Sequence, residues 1–293
     1  MSSCHPAAAG FAHIPAGSFL MGSDAHYAEE GPQQAVAVAA FDIDRFEVTN
    51  AQFAQFITES GYVTSAERAT KLGFPESGSA VFSRSTWSFV AGADWRHPDG
   101  PDSDIQGRDH DPVVHVSFED AQAYADWAGR ALPTEAQWEY AARGGLNGQE
   151  YAWGDTLTPG GNHLANTWQG LFPVADTGAD GHAGRAVVGC YPANGYGLYD
   201  MIGNVWEWTA DPYFPDRRFG KDLPADRLER PIGFDPRQPG VPVGVIKGGS
   251  FLCAPTGCRR YRPAARHAQD TGLGTNHIGF RTVSRTAARD AMP

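Results

Sequence analysis

No stretch of the 293 residues approaches about eighteen consecutive apolar residues, the length a membrane-crossing helix needs. The opening residues, Met1 to Ala9, hold neither the charged start nor the apolar run of a secretion signal, so residence in the cytoplasm is expected. Basic residues are also scarce, 23 Lys and Arg against 34 Asp and Glu, and the formal net charge of −11 is spread along the chain. Nucleic acid and anionic membrane repel such a surface, so neither is expected as a partner, whereas a basic peptide segment would be welcome. Only four cysteines occur, too few in a chain of this length without a secretion signal to read as a disulfide framework. Internal repeats of fixed period and low-complexity linkers are absent too, which leaves no boundary between independent domains.

What the chain does have in quantity is turn-forming residues. Thirty-five Gly and 21 Pro argue for little regular structure and exclude a helical bundle, while 41% hydrophobic and 12% aromatic residues fit a globular enzyme with a sizeable core. Residues 14–22 read as a strand between turns and 41–44 as a half-buried strand, both at an antiparallel edge. Thr49 with Gln52 makes a capping box for a short helix that buries Phe53, Phe56 and Ile57 and ends at Gly61. Residues 62–111 read as long irregular loops packed by Trp87, Trp95 and His97. A strand at 113–117 runs into a Ser117–Asp120 cap, followed by a helix burying Phe118, Ala121, Tyr124, Ala125 and Ala128. Thr134 caps onto Gln137 in a third helix, with Trp138, Ala141 and Ala142 on one face and Gly144-Gly145 as the left-handed stop. Beyond it, short strands are expected at 187–191, 205–209, 243–247 and 278–283. Trp206 and Trp208, at period two, are expected to fill core.

Cys4 falls in a segment expected to fray, and Cys190 lies in the apolar run Val187-Val-Gly-Cys-Tyr191, where a small buried hydrophobe is the expected role. Cys253 and Cys258 are different: they stand five positions apart around Pro255, Thr256 and Gly257, a turn able to bring two sulfurs together. Two facing thiolates make a soft site that selects Cu(I) or Zn over Mg, Ca or Mn. Zinc would need further donors, for which His267 or His277 is available; a redox disulfide or two inert buried thiols are the other readings. Arg259, Arg260, Arg262 and Arg266 follow closely, and their field should lower the thiol pKa.

Gly248-Gly-Ser-Phe-Leu-Cys253, Cys258, Arg260-Tyr-Arg262, Ala264-Ala-Arg266 and Ile278-Gly-Phe-Arg281 together resemble the catalytic end of formylglycine-generating enzymes. So do Ile14-Pro-Ala-Gly with Met21-Gly22, Glu47-Val-Thr-Asn50, Pro112-Val-Val-His-Val-Ser117, Leu132-Pro-Thr-Glu-Ala-Gln-Trp-Glu-Tyr-Ala-Ala-Arg143, Tyr151-Ala-Trp-Gly154 and Gly203-Asn-Val-Trp-Glu-Trp208. The likeness spans residues 11–284, leaving 1–10 and 285–293 as expected flexible termini. It implies a single mixed α+β domain of the formylglycine-generating fold, C-type-lectin-like and poor in regular structure. It further implies that Cys253 and Cys258 bind Cu(I), that a substrate cysteine adds a third thiolate, and that O2 and this site convert that cysteine to formylglycine through a thioaldehyde. Ser250 would help orient substrate and oxygen.

The expected partner is an unfolded sulfatase carrying Cys-x-Pro-x-Arg, or another cysteine-containing peptide, met by a monomer. Two structural calcium sites also come with the resemblance: Asn166 and Asp180 with the carbonyls of Thr167 and His182, and Asp200 and Glu207 with the carbonyls of Gly203 and Val205. Read by themselves, Asp176, Asp180, Asp200 and Glu207 are equally well solvated loop acids. The chain departs from the family in Ala254-Pro-Thr-Gly257, in residues 267–276, and in His277, which stands where asparagine is usual. Cleft lining and substrate motif are therefore open to change. Non-haem iron chemistry would call for a His-x3-His pair and an added helical domain, and neither is visible. A lectin-like binding module without catalysis is the remaining alternative.

Overall fold

Turn-forming residues cut the chain into short pieces that only tertiary packing can hold. The computed structural model describes residue 4 and residues 10–68, 76–217 and 232–285. Apart from Cys4, Gly10 and Arg285, the expected flexible termini fall outside the described residues. The first strands are β1 (Phe11–Ile14), β2 (Gly17–Met21), β3 (Gln34–Val38) and β4 (Phe41–Asp44). Helix α1 (Asn50–Ser60), the hairpin strands β5 (Gly78–Ser83) and β6 (Thr86–Ala91), helix α2 (Phe118–Trp127), β7 (Arg130–Ala131) and helix α3 (Glu135–Ala142) follow. The second half supplies β8 (Trp206–Pro212), β9 (Val243–Lys247), β10 (Arg266–Asp270), β11 (Ile278–Gly279) and β12 (Val283–Ser284).

Each α-helix among the described residues begins where side-chain chemistry dictates. Thr49, Ser117 and Thr134 accept from the backbone N–H three residues on, and Gln52, Asp120 and Gln137 return the bond, so two orphan donors are satisfied at each start. Gly61 closes α1 at φ 67°, a left-handed turn that glycine adopts without strain.

Two four-stranded sheets, ordered β1-β4-β12-β7 and β10-β9-β8-β11, carry the fold, beside the hairpins β2·β3 and β5·β6. One core fills the space between α1, α2 and the second sheet with Phe53, Phe56, Tyr124, Trp206, Trp208 and Phe280; Cys253 belongs to it. A second, under α3, gathers Trp138, Phe41, Ile43 and Leu198. Both tryptophans at 206 and 208 are buried as expected.

Several sequence expectations are corrected. Pro15 and Ala16 break the expected strand 14–22 into β1 and β2, and β4 lies inside its sheet, between β1 and β12, not at the edge. Residues 113–117 are buried but form no strand, because His115 turns to φ 59°. Residues 187–191 form no strand either: Gly189 takes φ 78° and Cys190 is bonded to Cys4. That disulfide overturns the readings of Cys4 as part of a frayed end and of Cys190 as a plain apolar filler. The expected strand 278–283 splits into β11 and β12, which serve different sheets. The hairpin β5·β6 and strand β10 were not foreseen.

Candidate active site

Strand β9 ends at Lys247 and delivers the chain to Gly248 and Gly249, whose φ angles are 94° and 75°. At Gly249 a Cβ would lie 2.9 Å from the Tyr261 backbone nitrogen, so only glycine lets the two arms of this loop approach. Ser250 is fully buried at the start of the turn; its carbonyl accepts from Cys253 N–H at 2.8 Å and its Oγ from Leu252 N–H at 3.2 Å. The Gly257 N–H donates to the Ala254 carbonyl at 3.1 Å and closes the bend that sequence predicted. On the far side, the Trp168 N–H donates to the Cys253 carbonyl at 3.0 Å.

The result is that Cys253 Sγ donates to Cys258 Sγ at 2.9 Å. The two thiols differ. Burial, with the Cys258 sulfur beside it, pushes the Cys253 thiol well up, whereas Cys258 is lowered to about 7, first by the hydrogen bond from Cys253 and then by the Arg260 backbone and charge. One thiolate and one thiol are thus favoured, rather than the two thiolates expected from a row of arginines. Of the four arginines that follow the pair, Arg260 serves them. It pairs with Glu29 at 2.6 Å and lies 3.8 Å from the Tyr27 ring centroid. Arg262 and Arg266 are spent on Glu30 and Glu135, and Arg259 faces Glu150 at 3.5 Å.

Above the pair opens a cleft of about 570 Å³ whose wall includes Trp87, Phe172, Trp206, Leu252 and Gln269. Trp87, 45% exposed, comes from the unforeseen hairpin. His267 and His277 both line the cleft. Burial lowers them to about 4 and about 3, so each imidazole is neutral near pH 7. His277 Nδ1 meets Thr275 Oγ1 at 2.6 Å and its ring lies 4.8 Å from that of Trp87. The ring of His267 stacks on Trp206 with centroids 5.8 Å apart, and its Nδ1 is buried without a hydrogen-bond partner.

The first candidate calcium set is brought together. Asp180 accepts from Thr167 N–H at 2.8 Å and from His182 N–H at 3.1 Å, and Asn166 Oδ1 is buried with no partner. Burial raises the Asp180 carboxyl. Asp176, by contrast, caps its own turn through Gln169 and Gly178 N–H. The second set is buried as well, but Glu207 is already held by Arg281, at 2.7 Å to each oxygen, and by Trp138 Nε1 at 2.8 Å. Asp200 accepts from Gly189 N–H at 2.5 Å and is pushed up to about 6 by burial. Beside it, Glu47, unsuspected from the sequence, has one carboxylate oxygen buried without a partner; burial and then Asp200 raise it well above its ordinary value. Among the described residues, Arg281 is the guanidinium whose charge acts on both Glu47 and Asp200 and which pairs with Glu207.

Among the described residues no helix is long and apolar enough to cross a membrane. Residues 2–286 match the Sulfatase-modifying factor enzyme 1-like domain. The chain is 49% identical over 290 residues to the formylglycine-generating enzyme of Mycobacterium tuberculosis, covering 92% of this chain and 96% of that one. It is 47% identical over 291 residues to the formylglycine-generating enzyme of Thermomonospora curvata, covering 94% of each. The solved structure of PvdO from Pseudomonas aeruginosa superposes with a TM-score of 0.63 at 24% identity, covering 93% of both chains, and shares the fold.

Proposed function

Since the chain belongs to the sulfatase-modifying factor family of formylglycine-generating enzymes, we propose that it oxidises a cysteine of a target protein to formylglycine, using O2 and copper(I) held by Cys253 and Cys258. The observation that carries this reading is the thiol pair, 2.9 Å apart at the floor of an open cleft. Two sulfur donors side by side suit a soft monovalent ion. Copper(I) bound there supplies the one-electron chemistry that O2 requires.

Everything else is the work of the chain's own groups. The Gly248-Gly249 approach and the Ser250 carbonyl fix where Cys253 sits, and the hydrogen bond from Cys253, aided by Arg260 with Glu29 behind it, keeps Cys258 ionisable near neutrality. Trp87, Phe172 and Trp206 shield the sulfurs and offer apolar surface to an extended peptide. The acidic surface suits the basic end of a Cys-x-Pro-x-Arg sulfatase segment. Ser250, buried beside the pair, is assigned to orienting substrate and oxygen.

Two structural calcium ions belong to the same reading. The unpartnered Asn166 Oδ1 with Asp180 supports the first, and the crowd of Asp200, Glu207 and Glu47 supports the second, where Glu207 would contribute lone pairs not used by Arg281. His277 in the cleft wall favours one variation, the same chemistry on a different cysteine peptide. Copper titration tests the assignment. One tightly bound Cu(I) per chain, lost in Cys253→Ser and in Cys258→Ser, is expected; absence of uptake would leave a lectin-like binding module without catalysis.

A further inference from the structure

Remote from the cleft pair in sequence, Cys4 and Cys190 are joined by a disulfide, and a ring nitrogen of His182 lies within 4.8 Å of both sulfurs. We propose that, once a dithiol reductant opens this bond, Cys4, Cys190 and His182 form a second thiophilic metal site, with three protein ligands for Zn2+. The proposed calcium site uses only the His182 carbonyl and the proposed oxidation uses none of the three side chains.

Two thiolates and an imidazole are the donor set of many zinc sites, and hard cations compete poorly for it. Two of the three donors are already fixed by one loop. Gly189 N–H donates to Asp200, Val188 N–H to the His110 carbonyl at 3.0 Å, and Tyr191 OH to the Asp180 carbonyl at 3.2 Å, which holds the chain on both sides of Cys190. His182 N–H is anchored on the Asp180 carboxylate at 3.1 Å. The third donor is tethered: Cys4 precedes Phe11, where β1 begins its pairing with β4, by seven residues. At roughly 3.4 Å per residue that is at most about 24 Å of chain, so an opened Cys4 thiol stays near at an effective concentration on the order of millimolar. All three side chains are partly exposed, which gives an ion access and leaves the fourth tetrahedral position to water.

The two states exclude each other because they need the same sulfurs. Reduction moves two electrons and two protons from the dithiol to the Cys4–Cys190 bond, giving two thiols and leaving the reductant as its own disulfide. Binding of Zn2+ then releases the two thiol protons. Under reducing conditions the zinc form is populated; under oxidising ones the covalent strap is.

The full chain carrying Cys253→Ser and Cys258→Ser, which removes the cleft thiols, is prepared in reduced and in disulfide-bonded form, and each is titrated with Zn2+ and with Co2+ alone. The reduced protein is expected to bind one ion per chain, with a thiolate-to-cobalt charge-transfer band, while the disulfide-bonded protein shows neither. His182→Ala should weaken the reduced protein's affinity at least about tenfold, and Cys190→Ser should abolish the band. The comparison of the two redox forms needs no further mutation and so survives any variant that fails to fold. Absence of an ion from the reduced protein, or a band that persists in Cys190→Ser, would overturn the proposal.

Discussion

Arg262 donates through both Nη atoms to the two carboxylate oxygens of Glu30, at 2.8 and 2.6 Å, and both residues are buried. The pair pins the chain just past Cys258 to the short turn at Ala28–Glu30, whose Glu29 holds Arg260. A buried pair broken on one side leaves an uncompensated charge, so Glu30→Gln is expected to cost about 3–5 kcal/mol. Urea unfolding checks this: the midpoint should fall with the slope unchanged. A midpoint equal to that of the parent would mean that Arg262 is held by other groups.

The lowered Cys258 thiol is assigned mainly to the hydrogen bond it receives from Cys253. In metal-free protein, alkylation of Cys258 by iodoacetamide should rise with a midpoint near about 7. In Cys253→Ala the midpoint should move upward, toward that of an ordinary thiol. If it stays where it was, Arg260 alone sets the Cys258 value.

Burial by itself would raise the Glu139 carboxyl, yet Lys247, Arg217 and Arg143 hold it at about 2. A depressed carboxylate contributes stability that is complete above its unfolded value and is lost as pH falls through the window from about 4.5 to about 2. The stability gap between parent and Glu139→Gln should therefore narrow as pH drops through that window. His115 acts at higher pH. Burial lowers its imidazole to about 3, so between about 6.5 and about 3 the unfolded chain takes up a proton that the folded chain refuses, and stability falls with pH. The parent should lose stability over that window relative to His115→Gln; parallel urea midpoints from pH 7 to 4 would contradict the assignment.

Calcium bound as proposed, by the folded chain alone, would stabilise it by mass action. At about a hundred times its Kd, Ca2+ should add about 2.7 kcal/mol, removable by EGTA. Asn166→Ala deletes the unpartnered buried oxygen and should blunt the calcium-dependent rise in melting temperature. The same rise in the variant as in the parent would detach Asn166 from any calcium site.

What could be read in advance was local chemistry. Thr49 with Gln52, Ser117 with Asp120 and Thr134 with Gln137 are three-residue signals, and all three cap helices. The Cys253–Cys258 bend was legible for the same reason, since Gly257 and its neighbours specify a tight turn. Long-range relations were not. Cys4 and Cys190 are separated by 186 positions, and nothing in either neighbourhood names the other. The β5·β6 hairpin turns through Arg84 and Ser85, both at positive φ, without the glycine or asparagine that usually marks such a turn. His115, in the left-handed region at φ 59°, breaks the run 113–117 that reads as a strand from its sequence. Of four arginines near the thiols, only tertiary partners reveal that Arg260 faces them while the others answer Glu30, Glu135 and Glu150.

Oxidation of a peptide cysteine at Cys253 and Cys258 is tested by incubating the copper-loaded chain with O2, a reductant and a peptide carrying Cys-x-Pro-x-Arg, then reading the peptide by mass spectrometry. The expected product is lighter by the difference between CH2SH and CHO, is trapped by an aminooxy reagent, and is absent with Cys253→Ser or Cys258→Ser. Full copper occupancy with this peptide and a panel of other cysteine peptides all left unmodified would contradict it.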